Sequence, residues 1–158
     1  MGMYEDIEKF HEKFQLPQTD VPAFANTELM EFRMKFMREE LKEFEEAYDN
    51  KDLVKAFDAL IDLVYVALGT AHIMNLPFVT GWYHVHMANM KKVRAKHAHE
   101  SKRGTAYDVV KPKGWVGPEK LLQAAIILHE HNLLEYRDET AWMEAVKNKK
   151  KRPSESDF

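Results

Sequence analysis

The sequence predicts an all-α protein, an antiparallel four-helix-type bundle with additional short terminal helices. Apolar residues recur at spacings of three and four through most of the chain, and no segment alternates apolar and polar residues over a useful strand length. The predicted second, third and fourth helices are joined by short connections. Short connections place successive helices antiparallel beside each other, which is the arrangement of a bundle.

Composition sets the broad class. With 158 residues, 45% of them hydrophobic, the chain can form one domain, predicted over residues 1–147 and followed by a polar tail at 148–158. The absence of cysteine excludes disulfides and thiolate metal sites. A net charge of −3 gives no global field that would recruit nucleic acid or a membrane, so neither is an expected partner. No secretory signal is visible, and a soluble cytoplasmic protein is expected.

The first three helices are predicted from apolar spacing and from the residues that end them. Residues 3–14 form an amphipathic helix, ended by the two prolines of LPQTDVP. Thr27 is the predicted N-cap of a second helix that continues to about residue 49. The third helix covers about 52–75 and ends at NLP. It is apolar nearly all round from 59 to 68, which is typical of a helix surrounded by others.

The second half of the chain is predicted to hold shorter helices. Residues 78–98 form a fourth helix, followed by the polar and mobile segment HAHESKRGTAYD and a loop at KPKGWVGPE. Residues 118–132 and 139–147 form two further helices.

Two acidic clusters on the second and third helices are the strongest functional signal. Glu39, Glu40 and Glu43 fall within an arc of roughly 100° on a helix, and Asp58 and Asp62 within about 40°. A short turn makes the two helices antiparallel neighbours, so the clusters face each other. Carboxylates in apolar helices need a partner, and an all-oxygen set suits Mg²⁺ or Mn²⁺. A solvated helix face, or pairing of the aspartates with a buried lysine or arginine, is the structural alternative.

Groups that could bind phosphate follow on the fourth helix. Asn89 and Lys92 share one helical face, and Lys91 and Arg94 are close by. Arg33, on the acidic second helix, is a weaker candidate for the same role. An ordinary solvated face is the alternative interpretation of these basic residues.

The ordered pattern EExxE, an apolar helix with an acidic pair, and NMKK resembles the MazG-like all-α nucleoside triphosphate pyrophosphatases. The segments FHEKF and KPKGW make it most similar to the phage and bacterial branch related to phosphoribosyl-ATP pyrophosphohydrolase. The resemblance implies hydrolysis of an NTP or dNTP to the monophosphate and pyrophosphate with bound magnesium. It also implies assembly as homodimers or homotetramers, and dGTP is one substrate that some members clear.

Residue roles follow from the resemblance alone. Glu40, Glu43 and Asp62 would be metal ligands, and Glu39 a further ligand or the base that orients the attacking water. Asn89 and Lys92 would contact phosphate or sugar. The family glutamate of the ExxD motif falls on Ala59 here, so one ligand is missing unless Asp58 replaces it.

Four aromatic or polar residues are candidates for recognising the nucleobase: Phe10, His11, Trp82 and His86. For each of them, a packing role is the alternative. Two other classes of protein are alternatives. A ferritin-like di-metal bundle needs two Glu-x-x-His motifs, and only Glu8 to His11 fits. A non-catalytic helical nucleotide-binding or interaction protein remains open because of Ala59.

Overall fold

The structure is a computed structural model that describes residues 2–150, with side chains described for residues 2–134. Two short strands, β1 (Val93–Arg94) and β2 (Val109–Val110), lie between the fourth and fifth helices. The predicted all-α class is confirmed. None of the described helices is long and apolar enough to cross a membrane. The five helices are α1 (Met3–Phe14), α2 (Thr27–Asp49), α3 (Leu53–Ile73), α4 (Phe78–Met90) and α5 (Glu119–Lys150).

Helix α1 has the predicted bounds and lies against α3. Its buried face carries Ile7 and His11, which are spaced one turn apart. Gln15 ends the helix in the left-handed region, with φ of 51°, and its backbone N–H donates to the Glu12 carbonyl. The proline-containing segment that follows leads to α2, as the sequence indicates.

Helices α2 and α3 form the most extensive helix contact in the fold. Asn26, not the predicted Thr27, caps α2: its side chain accepts the backbone N–H of Leu29. The predicted cap was wrong because both residue types cap helices and only the backbone conformation decides between them. Lys51, with φ of 58°, turns the chain, and Asp52 caps α3. This tight turn makes the two helices antiparallel.

The outer face of α3 is exposed, although its composition predicted a helix enclosed by others. Within residues 59–68, Leu60 is 43% exposed, Ile61 51% and Val64 47%. At the start of the helix, Leu53 is 82% exposed and Phe57 66%. Helices α1 and α2 cover one side of α3, while α4 packs more against α5 than against α3. The described part of one chain therefore supplies too few helices to cover α3.

The fourth helix ends at Met90, so the predicted extension to residue 98 was wrong. Trp115 from the following loop donates its Nε1–H to the Ala88 carbonyl over 2.8 Å, and the same carbonyl accepts the backbone N–H of Lys91 over 3.3 Å. Both bonds satisfy a carbonyl of the last helical turn. Strand β1 then pairs antiparallel with β2. The segment predicted to be mobile is a hydrogen-bonded ribbon that contains a 3-10 turn, Ala98–Glu100.

Helix α5 is one helix where two were predicted. The residues between 132 and 139 include no proline or glycine, and their polar side chains do not break a helix. Gly81 of α4 lies close to the Leu122 side chain, which allows α4 and α5 to approach. Helix α5 extends into the segment predicted as a polar tail, and residues 151–158 lie outside the described residues.

Candidate active site

The acidic clusters lie on facing helices, as predicted. Glu39, Glu40 and Glu43 belong to α2, and Asp58 and Asp62 belong to α3. Glu40 is buried, with 7% of its surface exposed, whereas the other four carboxylates are exposed. One carboxylate therefore lies inside the helix pair and four surround it.

Glu40 is in an environment that opposes its charge. Burial raises the pKa of its carboxyl, and the nearby carboxylates of Glu43, Asp62, Glu39 and Asp58 raise it further. Within the part of the chain that the structure describes, no lysine or arginine contributes to this environment. The Oε2 atom of Glu40 is fully buried and has no hydrogen-bond partner among the described residues. A buried oxygen of this kind lacks a donor or a cation that would offset its desolvation.

The carboxylates do not form a finished coordination shell in the single chain. Within the described residues, no three side chains of the ligating types are close enough together to hold an ion. The donor set fits Mg²⁺ or Mn²⁺ through its all-oxygen chemistry and through the unpartnered oxygen of Glu40.

Ala59 occupies a buried position between the two aspartates of α3. Only 2% of its surface is exposed, while Asp58 and Asp62 are exposed. A glutamate at position 59 would therefore be as enclosed as Glu40. Asp58 adds charge to the cluster from the neighbouring position, which is more exposed.

Arg33 lies in the same helix pair, about two turns from Glu40. It is 8% exposed, and its Nε donates to Thr70 Oγ1 over 3.1 Å. Its Nη2 donates to the Val66 carbonyl over 2.7 Å. No carboxylate pairs with it among the described residues. These bonds use the guanidinium to join α2 to α3 rather than to face the acidic cluster.

His11 lies beside Arg33 and lines the buried end of α1. An added Cβ on Gly69 would lie 3.0 Å from both His11 Nε2 and Arg33 Nη2, so glycine allows both groups to approach α3. Burial, followed by the charges of His72 and Arg33, lowers the pKa of His11 to about 4. His11 is therefore neutral at pH 7, and its buried Nδ1 has no hydrogen-bond partner.

The candidate phosphate-binding residues lie at the far end of α4. Asn89 and Lys91 are exposed, and Lys92 Nζ lies 5.5 Å from the ring centroid of Trp115. Because α4 packs mainly on α5, the described chain does not bring these groups into the environment of Glu40.

The candidate base-binding residues are divided between two regions. Phe10 on α1 is 38% exposed and contacts Tyr65 of α3 edge to face. His11 is buried next to it. Trp82, 65% exposed, and the exposed His86 belong to α4. Phe10 is the member of this set on the α1–α3 side that a ligand can reach.

The sequence interpretation missed Thr70, Gly69 and Trp115. Gly69 carried a usable signal, because an isolated glycine inside an apolar helix indicates close approach of another group. Thr70 gave none, since it accepts a hydrogen bond from Arg33 on another helix, 37 positions away. Trp115 belongs to the KPKGW segment, but that segment does not indicate its hydrogen bond to the Ala88 carbonyl.

Comparison with known proteins supports the order of motifs. The family model described as phosphoribosyl-ATP pyrophosphohydrolase matches residues 7–89, just over half of the chain. The matched range contains both acidic clusters, Arg33 and Asn89, and ends before the ribbon. No curated protein matches the chain significantly.

Proposed function

Because the chain belongs to the phosphoribosyl-ATP pyrophosphohydrolase family, within the MazG-like all-α superfamily, we propose that it is a magnesium-dependent nucleoside triphosphate pyrophosphohydrolase. It would convert an NTP or dNTP and water to the monophosphate and pyrophosphate. The observation that carries this proposal is Glu40, a buried carboxylate with an unpartnered oxygen among four other carboxylates.

Glu40, Glu43 and Asp62 are the proposed ligands of the cation, with Asp58 acting in place of the glutamate that Ala59 lacks. When bound, Mg²⁺ (or Mn²⁺ as a substitute) would neutralise triphosphate charge and lower the pKa of coordinated water. Glu40 would then lose the unfavourable environment that raises its pKa.

Glu39 is the proposed base or a further ligand. It is exposed beside Glu40 and can accept a proton from a water molecule. The water oxygen bonds to the α-phosphorus, the bond from that phosphorus to the bridging oxygen breaks, and pyrophosphate leaves with the electron pair. The proton passes to the carboxylate.

The remaining candidates have binding roles in this proposal. Asn89, Lys91 and Lys92 would contact phosphate or sugar, and Phe10 and Trp82 offer aromatic faces on which a base can stack. His11 and His86 are further candidates for base contact. Selectivity for one dNTP such as dGTP is part of the proposal and has no single residue behind it.

We also propose that the chain works as a homodimer or homotetramer. Large apolar side chains are exposed on α3 and α4, including Leu53, Phe57 and Trp82. Large apolar side chains exposed one turn apart on a helix, such as Leu53 and Phe57, are typical of a protein–protein contact surface. Sedimentation should therefore show an assembly larger than 18.6 kDa. A monomer at micromolar concentration would contradict this part.

The test of the reaction is turnover of a panel of ribo- and deoxynucleoside triphosphates with Mg²⁺ and then with EDTA. Phosphoribosyl-ATP belongs in the panel because the family is described by it. Monophosphate and pyrophosphate that form only with the metal would support the proposal. Diphosphate and phosphate would identify a different bond. No turnover of any nucleotide would favour a non-catalytic binding protein.

A further inference from the structure

Charge is strongly segregated along the chain. Residues 1–90 contain 16 Asp and Glu and only 8 Lys and Arg. Residues 91–118, which we call the basic arm, contain 8 Lys and Arg and only 2 Asp and Glu. A net charge of −3 therefore hides an acidic helical part and a basic arm. The cations of the arm are Lys91, Lys92, Arg94, Lys96, Lys102, Arg103, Lys111 and Lys113.

The basic arm is an ordered substructure around β1 and β2. The Asp108 carboxylate accepts the hydroxyl of Ser101 over 2.6 Å and two hydrogen bonds from Arg103 Nη1. The Glu100 carboxylate accepts the backbone N–H of Lys96 over 2.7 Å. The two acidic residues of the arm thus serve its own fold. Among the described residues, Arg103 is the only cation of the arm with an ion pair.

The arm is fixed to the end of α4. Trp115 donates its indole N–H to the Ala88 carbonyl, and Lys111 Nζ lies 4.4 Å from the centre of its ring. The cations of the arm therefore begin next to Asn89, at the end of α4. Tyr107, 94% exposed, extends from the ribbon between its two strands.

The acidic cluster lacks the positive charges that the arm carries. Among the described residues, every charge that perturbs Glu40 is a carboxylate. A bound triphosphate would add about four negative charges to those of the carboxylate cluster, and the sum is more than one or two divalent cations can balance. The arm of the same chain is attached to α4, which packs more against α5 than against α3. The exposed apolar start of α3, next to Asp58, offers a second copy a contact surface.

We propose that the basic arm of one copy lies over the acidic face of α2 and α3 in a second copy and supplies the cations that bind the substrate triphosphate there. This assignment rests on the proposed function. It concerns residues beyond the range that the family model matches.

The first test neutralises three cations that have no other described role. In Lys96→Gln/Lys102→Gln/Lys113→Gln, KM for the best triphosphate should rise by about tenfold or more, because a cationic site concentrates its anionic ligand. The affinity for Mn²⁺ alone should stay unchanged. The matched control, Lys9→Gln/Lys35→Gln/Lys120→Gln, makes the same charge change on exposed helical positions and should leave KM within about twofold. Equal KM values in the two triple variants would overturn the proposal.

The second test distinguishes the two chains. The arm variant is mixed, by co-refolding, with Asp62→Asn, which keeps its arm and has a defective acidic face. In a symmetric dimer, random mixing should restore about one quarter of wild-type sites at low substrate concentration, because only the mixed pair combines an intact arm with an intact face. No recovery above the sum of the separate variants would show that the arm acts on its own chain, and would overturn the assignment to a second copy.

A third measurement needs no turnover. The chain has no cysteine, so Tyr107→Cys can carry a benzophenone group as its single thiol label. A ¹⁵N-labelled copy that bears the label, mixed with unlabelled wild type, should give isotopically mixed crosslinks to α2 or α3. Crosslinks confined to one chain would overturn the proposal. If no nucleotide is hydrolysed but the mixed crosslinks form, the proposed reaction fails while the docking of the arm stands.

Nucleic acid is the rival partner of a basic surface with an exposed aromatic side chain. Wild type and the arm variant are compared for retention of a labelled single-stranded oligonucleotide. Retention by wild type alone, with unchanged KM in the arm variant, would assign the arm to nucleic acid and overturn the proposal.

Discussion

Two buried charges lie about two turns apart on α2 and differ in how the protein treats them. Arg33 donates to the Val66 carbonyl and to Thr70, so its desolvation is offset within the chain. Glu40 has an oxygen with no partner and only carboxylates as charged neighbours. The first charge contributes to the joining of two helices, whereas the second has no such compensation within the described residues. Burial alone does not distinguish a charge with a structural role from one with a functional role. The hydrogen-bond and charge partners of each group do distinguish them.

The largest effect should come from the carboxylates around Glu40. Asp62→Asn and Glu43→Gln should each lower kcat/KM by about 10³-fold or more, because each removes charge from the cation site at nearly constant volume. Helical content by circular dichroism should not change. Glu45→Gln, on the same helix and outside the cluster, is the matched control. Full turnover in either site variant would remove that residue from the mechanism.

Arg33 should matter for stability more than for chemistry. Arg33→Met should lower the free energy of unfolding by about 3 kcal/mol, because it leaves the Thr70 hydroxyl with one donor fewer and vacates buried space. Arg38→Met, at an exposed position on α2, should change it by less than about 0.5 kcal/mol. Urea unfolding measures both. An Arg33→Met variant of wild-type stability with a raised KM would instead make Arg33 a substrate-binding residue.

His11 should make the protein sensitive to acid. Its pKa falls from 6.5 to about 4 on folding, so between these values the unfolded chain binds a proton that the folded chain does not. The free energy of unfolding should therefore decrease as pH falls from about 6.5 to about 4, by on the order of 2 kcal/mol from this group. His11→Gln should remove that part of the slope in urea unfolding measured at several pH values. His72, whose pKa is also lowered, acts in the same direction.

The smallest effect is the cost that Glu40 imposes without a cation. Because the pKa of Glu40 is raised in the folded state, its ionised form lowers the free energy of unfolding. This destabilisation disappears as pH falls and the carboxyl group becomes protonated. In EDTA at pH 7.5, Glu40→Gln should be more stable than wild type by about 1 kcal/mol. Added Mg²⁺ should raise the melting temperature of wild type more than that of the variant. A variant less stable than wild type in EDTA would mean that Glu40 has a partner inside the fold.

The sequence was sufficient for α1 to α3 and for the acidic clusters, since both depend on spacing along one helix. The sequence was insufficient where the local structure depends on contacts between residues that are distant along the chain. The pairing of Val93 with Val110 cannot be read from strands of two residues, and the Trp115 indole that donates to the Ala88 carbonyl lies 27 positions after it. Burial separates Glu40 from Glu39 and Glu43, which share its arc, and it follows from the rotation of α2 against α3. Spacing alone does not fix that rotation.

Because the start of α3 is exposed and apolar, the stability and activity of the protein should depend on its concentration. If the apolar side chains there are covered by another copy, the folded state is favoured by mass action, and its melting temperature rises with chain concentration. Dilution would then lower specific activity even where every chain is intact. A change in the amount of protein in a cell would then change its total activity more than proportionally, with no other regulator involved.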